Sequence, residues 1–240
     1  MKTRFPWFFT VLWLVVLAVM VWAGFWQLDR AKQKENIKQL LSSGQVTEPD
    51  SLADWQAVEP FTTVQLSGAF HPTHFLLANQ IINSEVGYFV FTAFHSDGGW
   101  LLVNRGWVKD QATDIDIPTG RLNLTGLVAD WPRPGYQLGE QVILDQDRQV
   151  VTYLPKTTVE NWLKARLCGQ SAANDCIILP RVLKLQADMP PGFVRQWQLP
   201  RMTAEKPRAY AAQWFTMSLV LCLVFGLLMK KTYFSKKHAS

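Results

Sequence analysis

His71 and His74, in the segment His71-Pro72-Thr73-His74, are two imidazoles three residues apart, a spacing that could offer both to one metal ion. Pro72 instead favours a surface turn, no Cys or third His lies nearby in sequence, and two His ligands seldom suffice. His95 precedes Ser96-Asp97-Gly98-Gly99, a strong turn signal, so it is expected at a hairpin end rather than as a base. Asp114 and Asp116 alternate with isoleucines, which sets two carboxylates on the water side of a short strand. Cys168 and Cys176 frame a polar loop. A disulfide closing it would persist in an oxidising compartment and not in a reducing cytosol, and two unlinked thiols are the alternative. No Ser/His/Asp or Cys/His arrangement stands out, so no nucleophilic machinery is assigned.

A different chemistry is offered by polar residues at the edges of apolar segments. Trp26, Gln27 and Arg30 end the first such segment, and Gln213 and Trp214 lie near the start of the second. Tryptophan at that depth is an interfacial belt residue, and Arg30 can snorkel to the surface. The two glutamines are less easily placed, because a buried amide needs partners. They could bond each other, a neighbouring helix or a bound polar group.

Positioning these groups falls first to two uncharged stretches. Residues 5–28 and 209–229 each run to 20-odd residues, enough at about 1.5 Å per helical residue to cross a hydrocarbon core roughly 30 Å thick. The first ends in Gly24-Phe25-Trp26-Gln27-Leu28 with no small-residue cleavage site, which favours a permanent anchor over a signal peptide. The second closes on Lys230-Lys231, as an interfacial anchor does, with a buried core helix as the alternative. The chain carries 24 Lys+Arg against 19 Asp+Glu, but all 19 acids fall within residues 29–208 beside 18 bases, a net −1. The remaining bases, Lys2, Arg4, Lys230, Lys231, Lys236 and Lys237, leave both tails purely basic. With no basic cluster on the folded segment, a nucleic-acid footprint is excluded. Lys and Arg near the spans number six on the tail side and eight on the domain side. Short tails obey the positive-inside rule and long translocated domains largely escape it. The expected layout in a bacterial inner membrane is therefore a cytoplasmic tail (1–6), a transmembrane helix (7–28), a periplasmic domain (29–208), a second transmembrane helix (209–229) and a basic cytoplasmic tail (230–240).

The central segment is long enough to bury its own core. Residues 64–68 and 122–126 alternate apolar and polar side chains and stop at glycine. Further strand-like runs cover 75–77, 87–94, 100–108, 142–144, 150–154, 176–179, 182–185 and 195–199. Short strands at this density predict a mainly antiparallel, barrel-like sheet. One helix interrupts them, with Thr157 and Glu160 as a capping-box pair, Val159, Trp162, Leu163 and Leu167 as its apolar stripe, and Gly169 as its stop. Residues 30–41 continue the first span as helix before a linker at 42–49.

Four segments taken together resemble the surfeit locus protein 1 family: Trp26-Gln27-x-x-Arg30-x-Lys32-x-Lys34, Gly87-Tyr88-Phe89-Val90-Phe91-Thr92, Leu102-Val103-Asn104-Arg105-Gly106-Trp107-Val108 and Tyr210-Ala211-x-x-Trp214-Phe215. They occur in the family's order and cover nearly the whole chain. The resemblance implies two membrane helices around a domain facing the periplasm or the intermembrane space. It also implies a part in assembling haem-copper terminal oxidases, chiefly cytochrome c oxidase, with oxidase subunit I as the expected partner. A chaperone is implied rather than an enzyme. The candidate cofactor- or partner-binding residues are then Trp26, Gln27, Arg30, Gly87, Tyr88, Asn104, Arg105, Gly106, Arg208, Tyr210, Gln213 and Trp214.

Some family members are reported to bind haem a, and many carry a His three residues before the Tyr of the last motif. Here that place is Pro207. Haem iron needs a strong donor, which leaves Tyr210, Met202 and Met217. Arg30 and Arg208 could pair with haem propionates, since a guanidinium fork suits a carboxylate. Arg105 has two readings, a pair with a carboxylate of its own domain or a contact with a partner. Gly106 supplies a bulge or permits a close backbone approach, and Gly87-Tyr88 reads as a turn into a core strand. A membrane-tethered periplasmic enzyme or sensor of unknown ligand is the competing reading of the whole chain.

Overall fold

The computed structural model describes residues 7–133, 139–168, 176–197 and 204–233. The tail residues 1–6 and 234–240, the helix stop at Gly169 and the end of the run at 195–199 lie outside the described residues. Helices α1 (Trp7–Ser42), α2 (Leu52–Ala57), α3 (Lys156–Cys168) and α4 (Glu205–Tyr233) accompany strands β1 (Val46–Thr47), β2 (Thr63–Ile82), β3 (Glu85–Ser96), β4 (Gly99–Val108), β5 (Leu122–Ala129), β6 (Arg148–Val151) and β7 (Val182–Leu185). They divide into two units, residues 1–39 with 199–240, and residues 40–198.

The first unit is a pair of antiparallel helices, α1 and α4, both long and apolar enough to cross a membrane. At 36 residues α1 is about 54 Å long, so it outruns a hydrocarbon core and carries its charged continuation from Asp29 without a break. Small residues make the contact. Ala23, Gly24 and Ala31 on α1 and Pro207, Ala211 and Ser218 on α4 are buried, while Phe8, Val15, Leu219 and Leu227 are exposed. Small inside and large outside is the reverse of a water-soluble core, and suits helices whose solvent is as apolar as leucine. A Cβ at Gly24 would stand 2.6 Å from the Phe215 ring, so glycine there sets the approach of the two backbones. Trp13 stacks on Phe225 with centroids 4.2 Å apart, and its Nε1–H donates to the Leu221 carbonyl at 3.3 Å.

The second unit is built around β2. It pairs antiparallel with both β3 and β5, β3 pairs antiparallel with β4, and β7 joins β4 in parallel and β5 antiparallel. The order β2–β3–β4–β7–β5 thus returns to β2 as a barrel-like ring. β1 and β6 add to β2 in parallel, which makes the sheet mixed rather than purely antiparallel. One apolar cluster, with Phe70, Phe94, Leu101, Val103 and Leu183, is stoppered by Trp55 of α2. A second gathers Phe75, Phe91 and Leu102 under Val159 and Leu163 of α3. The third is smaller, formed by Leu76, Val90, Val108 and Ile115.

Several local expectations are corrected. Residues 64–68 and 75–77 belong to one 20-residue strand. Pro72 sits at a register shift between Phe70 and His74, one of the few places a sheet accepts proline. Thr73 and His74 are consequently buried rather than in a surface turn, because His74 pairs with Arg148 of β6 and its N–H donates to the Asp147 carbonyl at 2.7 Å. Residues 142–144 and 114–117 form no strand; Asp114 and Asp116 are exposed around a buried Ile115. Run 176–179 contributes only a single bridge, Ile178 to Trp100, and residues 195–197 form no strand, the nearest bridge being Val194 to Trp107 just before them. Helix α3 begins at Lys156, which puts Thr157 inside the first turn instead of at its cap, and Glu160 faces Lys156 Nζ at 3.8 Å. The capping box belongs to the unforeseen α2, where Ser51 and Asp54 satisfy each other's backbone N–H. Cys168, at the end of α3, is disulfide-bonded to Cys176 with Cα atoms 5.7 Å apart.

Candidate functional site

The twelve candidate residues fall into two groups, one in each unit. In the helix pair, Glu35 meets Arg208 and Gly24 meets Phe215, so the helices' opposed directions bring residues 26–30 level with 210–214. Their side chains nevertheless differ in aim. Trp26 is 44% exposed, stacks on Trp22 with centroids 6.4 Å apart, and carries the Arg30 guanidinium 5.0 Å over its ring. Tyr210 and Gln213 are exposed and Trp214 is half-buried. Gln27 is half-buried on the stripe that includes Ala23 and Ala31. Among the described residues, neither glutamine amide has a hydrogen-bond partner. Arg208 is held by the Glu35 carboxylate, and Pro207 beside it is buried.

The barrel group turns inward. Gly87 lies inside β3 rather than at its turn, which is made by Asn83 and Ser84 at φ 51° and 66°. A Cβ on Gly87 would stand 2.5 Å from the Trp107 ring, whose Nε1–H donates to the Gln80 carbonyl at 2.9 Å. Tyr88 packs beside Val90 and Val108. Asn104 is 2% exposed and its Oδ1 accepts the Gly106 N–H at 3.1 Å, closing a local loop around the bulge. Gly106 both bulges and permits close approach: its φ is 119°, and a Cβ there would meet the Val194 carbonyl at 2.8 Å. The Trp107 N–H donates to that same carbonyl at 2.8 Å, and the Phe193 N–H to the Arg105 carbonyl at 2.8 Å.

Arg105 forms no carboxylate pair among the described residues, so the first of its two readings, an internal ion pair, is not found. It is 2% exposed, with its guanidinium carbon 5.1 Å from the Phe70 ring and 5.1 Å from the Phe193 ring, and Nε donates to the Pro191 carbonyl at 3.3 Å. Two aromatic faces and one carbonyl replace the counter-ion, each face contributing on the order of 1–2 kcal/mol once desolvated. Burial lowers the Arg105 pKa to about 10, with Asp116 opposing and Arg195 reinforcing the shift. Sequence reasoning missed this clamp because Phe193 and Pro191 lie more than 80 residues away and carry no motif.

Around the β2 bulge a surface network does contain a carboxylate. Arg166 binds Asp147 at 2.8 Å and Asp145 at 2.6 Å, Thr73 Oγ1 donates to Asp147 at 3.1 Å, and the Thr73 N–H donates to His71 Nδ1 at 3.2 Å. The Arg166 bond, first of several causes, holds the Asp147 carboxyl below its ordinary range, whereas burial lowers His71. Together these residues lock β2, β6 and α3. In the helix pair, Trp26, Arg30, Tyr210 and Gln213 are exposed.

A model of the SURF1 family matches residues 14–219. The chain is 28% identical over 156 residues to a SURF1-like protein of Rickettsia bellii (strain RML369-C), covering 62% of this chain and 59% of that protein. It is 31% identical over 119 residues to a SURF1-like protein of Rickettsia conorii (strain ATCC VR-613 / Malish 7), covering 48% and 47%. The chain thus spans about half the length of the curated relatives it matches.

Proposed function

This chain belongs to the SURF1 family, and from that premise we propose that it is a membrane-anchored biogenesis factor for a haem-copper terminal oxidase, with cytochrome c oxidase subunit I as its partner. It acts as a chaperone that binds and presents rather than as a catalyst. The observation that carries the reading is the exposure of Trp26, Arg30, Tyr210 and Gln213 at one level of a helix pair whose buried contact includes small residues. An exposed amide at the edge of a bilayer gains most from a hydrogen bond to another transmembrane helix, which an oxidase subunit would supply. The purely basic ends of the sequence support cytoplasmic tails, and the Cys168–Cys176 disulfide supports a periplasmic barrel.

Haem a insertion into subunit I is the finer form of the proposal. Pro207 offers no donor atom, so any haem contact here uses other groups, with Arg30 on the open face suited to a propionate. Deleting the gene should lower haem a and cytochrome c oxidase activity in membranes, and unchanged oxidase would end the proposal. Substituting Gln27 and Arg30 by Ala should reduce oxidase maturation while the protein stays in the membrane at its usual level. A fusion reporter placing Trp107 in the cytosol would overturn the topology.

A further inference from the structure

Three side chains inside the barrel end in buried polar atoms without a partner among the described residues: His74 Nε2, Thr92 Oγ1 and Arg105 Nη1. The residues are 7%, 0% and 2% exposed. Strand register puts all three on one face of the wall. His74 stands directly across from Thr92, and Thr92 directly across from Val103. Arg105 lies two residues beyond Val103 on β4 and so returns to the same face. That face is the interior one, because Val103 and the cross-strand pair Phe94 and Leu101 belong to the sealed cluster that also contains Phe70.

Their chemistry is complementary to one kind of guest. His74 Nδ1 lies 2.7 Å from the Pro72 carbonyl, which only accepts, so Nδ1 carries the proton and neutral Nε2 presents a lone pair. Arg105 brings a charge that no carboxylate among the described residues pairs, and the half-buried Arg195, on which Asp188 acts, stands nearby with an unpartnered Nε. The charged groups acting on His74 are Arg105 from β4, Arg148 from β6 and Asp147 just before it. Asp147 is already engaged by Arg166 and Thr73, and Asp116, the acid acting on Arg105, is exposed. The interior balance is cationic, and the aromatic clamp still leaves Arg105 Nη1 without an acceptor.

We infer that the barrel interior binds one small oxyanion of the carboxylate or phosphate class, which accepts hydrogen bonds from Arg105 Nη1, from Thr92 Oγ1 and from His74 Nε2 once that nitrogen has taken a proton from solvent. Burial holds the empty barrel's His74 below its ordinary pKa, with the Pro72 bond and Asp147 opposing it and Arg148 and Arg105 reinforcing it. An anion raises that pKa, so anion and proton enter together. Affinity then falls by about tenfold per pH unit between the empty and the occupied His74 pKa values.

The test uses the full chain in detergent micelles, titrated with acetate and with inorganic phosphate at fixed ionic strength, reading the His74 Nε2 nitrogen shift and the melting temperature. A saturable move of Nε2 toward the protonated form, with a rise in melting temperature that is stronger at pH 6 than at pH 8, is the expected result. Saturation with acetate alone assigns the carboxylate class, and saturation with phosphate alone the other. Arg105→Met should abolish the response. Thr92→Val, which changes little volume, should weaken it by about tenfold and carries the test if the first variant does not accumulate. No saturable shift with either anion, or one that both variants leave unchanged, overturns the site.

Discussion

The helix pair and the barrel handle the same residue types in opposite ways. Arg30 and Arg208 of the helices sit exposed, one over a tryptophan and one on a glutamate, whereas Arg105 is enclosed between two phenylalanines. Most large apolar side chains of the helices are exposed, with Trp13, Phe215 and Phe225 at the contact as exceptions, whereas those of the strands gather at the centre of the barrel. Each unit has hidden what its own solvent would reject. For the helices that solvent is lipid, so little beyond small residues needs hiding, and function can be written on the outside. For the barrel it is water, and the motif residues Asn104 and Gly106 are spent on building the wall.

If that contrast is right, the largest effect belongs to Gly106→Val. A β-branched residue at φ 119° with a Cβ pressed on the Val194 carbonyl should cost about 4 kcal/mol and remove the protein from membranes on quantitative immunoblots. Phe75→Ala should cost about 3–5 kcal/mol through its cavity in the barrel, seen as a lower melting temperature. Gly24→Leu should act on the other unit alone. Overpacking against Phe215 should cost about 1–3 kcal/mol and stop disulfide trapping between Trp13→Cys and Leu221→Cys, with barrel melting unchanged. A drop in barrel melting there would break the comparison.

Acid gives a smaller handle. His74 and His71 are both held below their ordinary value of 6.5 by burial, so the folded barrel binds fewer protons than the unfolded chain. Their contribution is complete above about pH 6.5 and is lost as pH falls toward the folded values. In oxyanion-free buffer the wild type should therefore melt progressively lower below that pH, and His74→Gln should flatten the decline. Least affected should be Arg208→Ala. An exposed pair with Glu35 contributes under about 1 kcal/mol, so melting and membrane level should both hold.

What could be read from the chain depended on how local its cause was. Two long uncharged runs announce α1 and α4 by length alone, and Gly106 announces its bulge by being the residue a positive φ requires. Ser51-Leu52-Ala53-Asp54 also carried its helix start in four letters, but α2 is too short for periodicity to back it. The β2 bulge was illegible for a different reason. Pro72 beside two histidines has the composition of a turn, and only β6, some 75 residues further on, makes it a strand. The same holds for Arg105, whose aromatic neighbours Phe70 and Phe193 come from opposite directions along the chain.

β2 also sets the order in which this protein can be made. Its hairpin mate β3 follows at once, but β5 is 40 residues behind and β7, which bridges β4 to β5, ends only at Leu185. During synthesis, then, one edge of β2 waits for β5, and the edge of β4 stays bare until Leu185 has left the ribosome. Unpaired edges of that age invite wrong pairing, so slow translation or a shortage of general folding helpers should harm this protein earlier than one whose contacts are local.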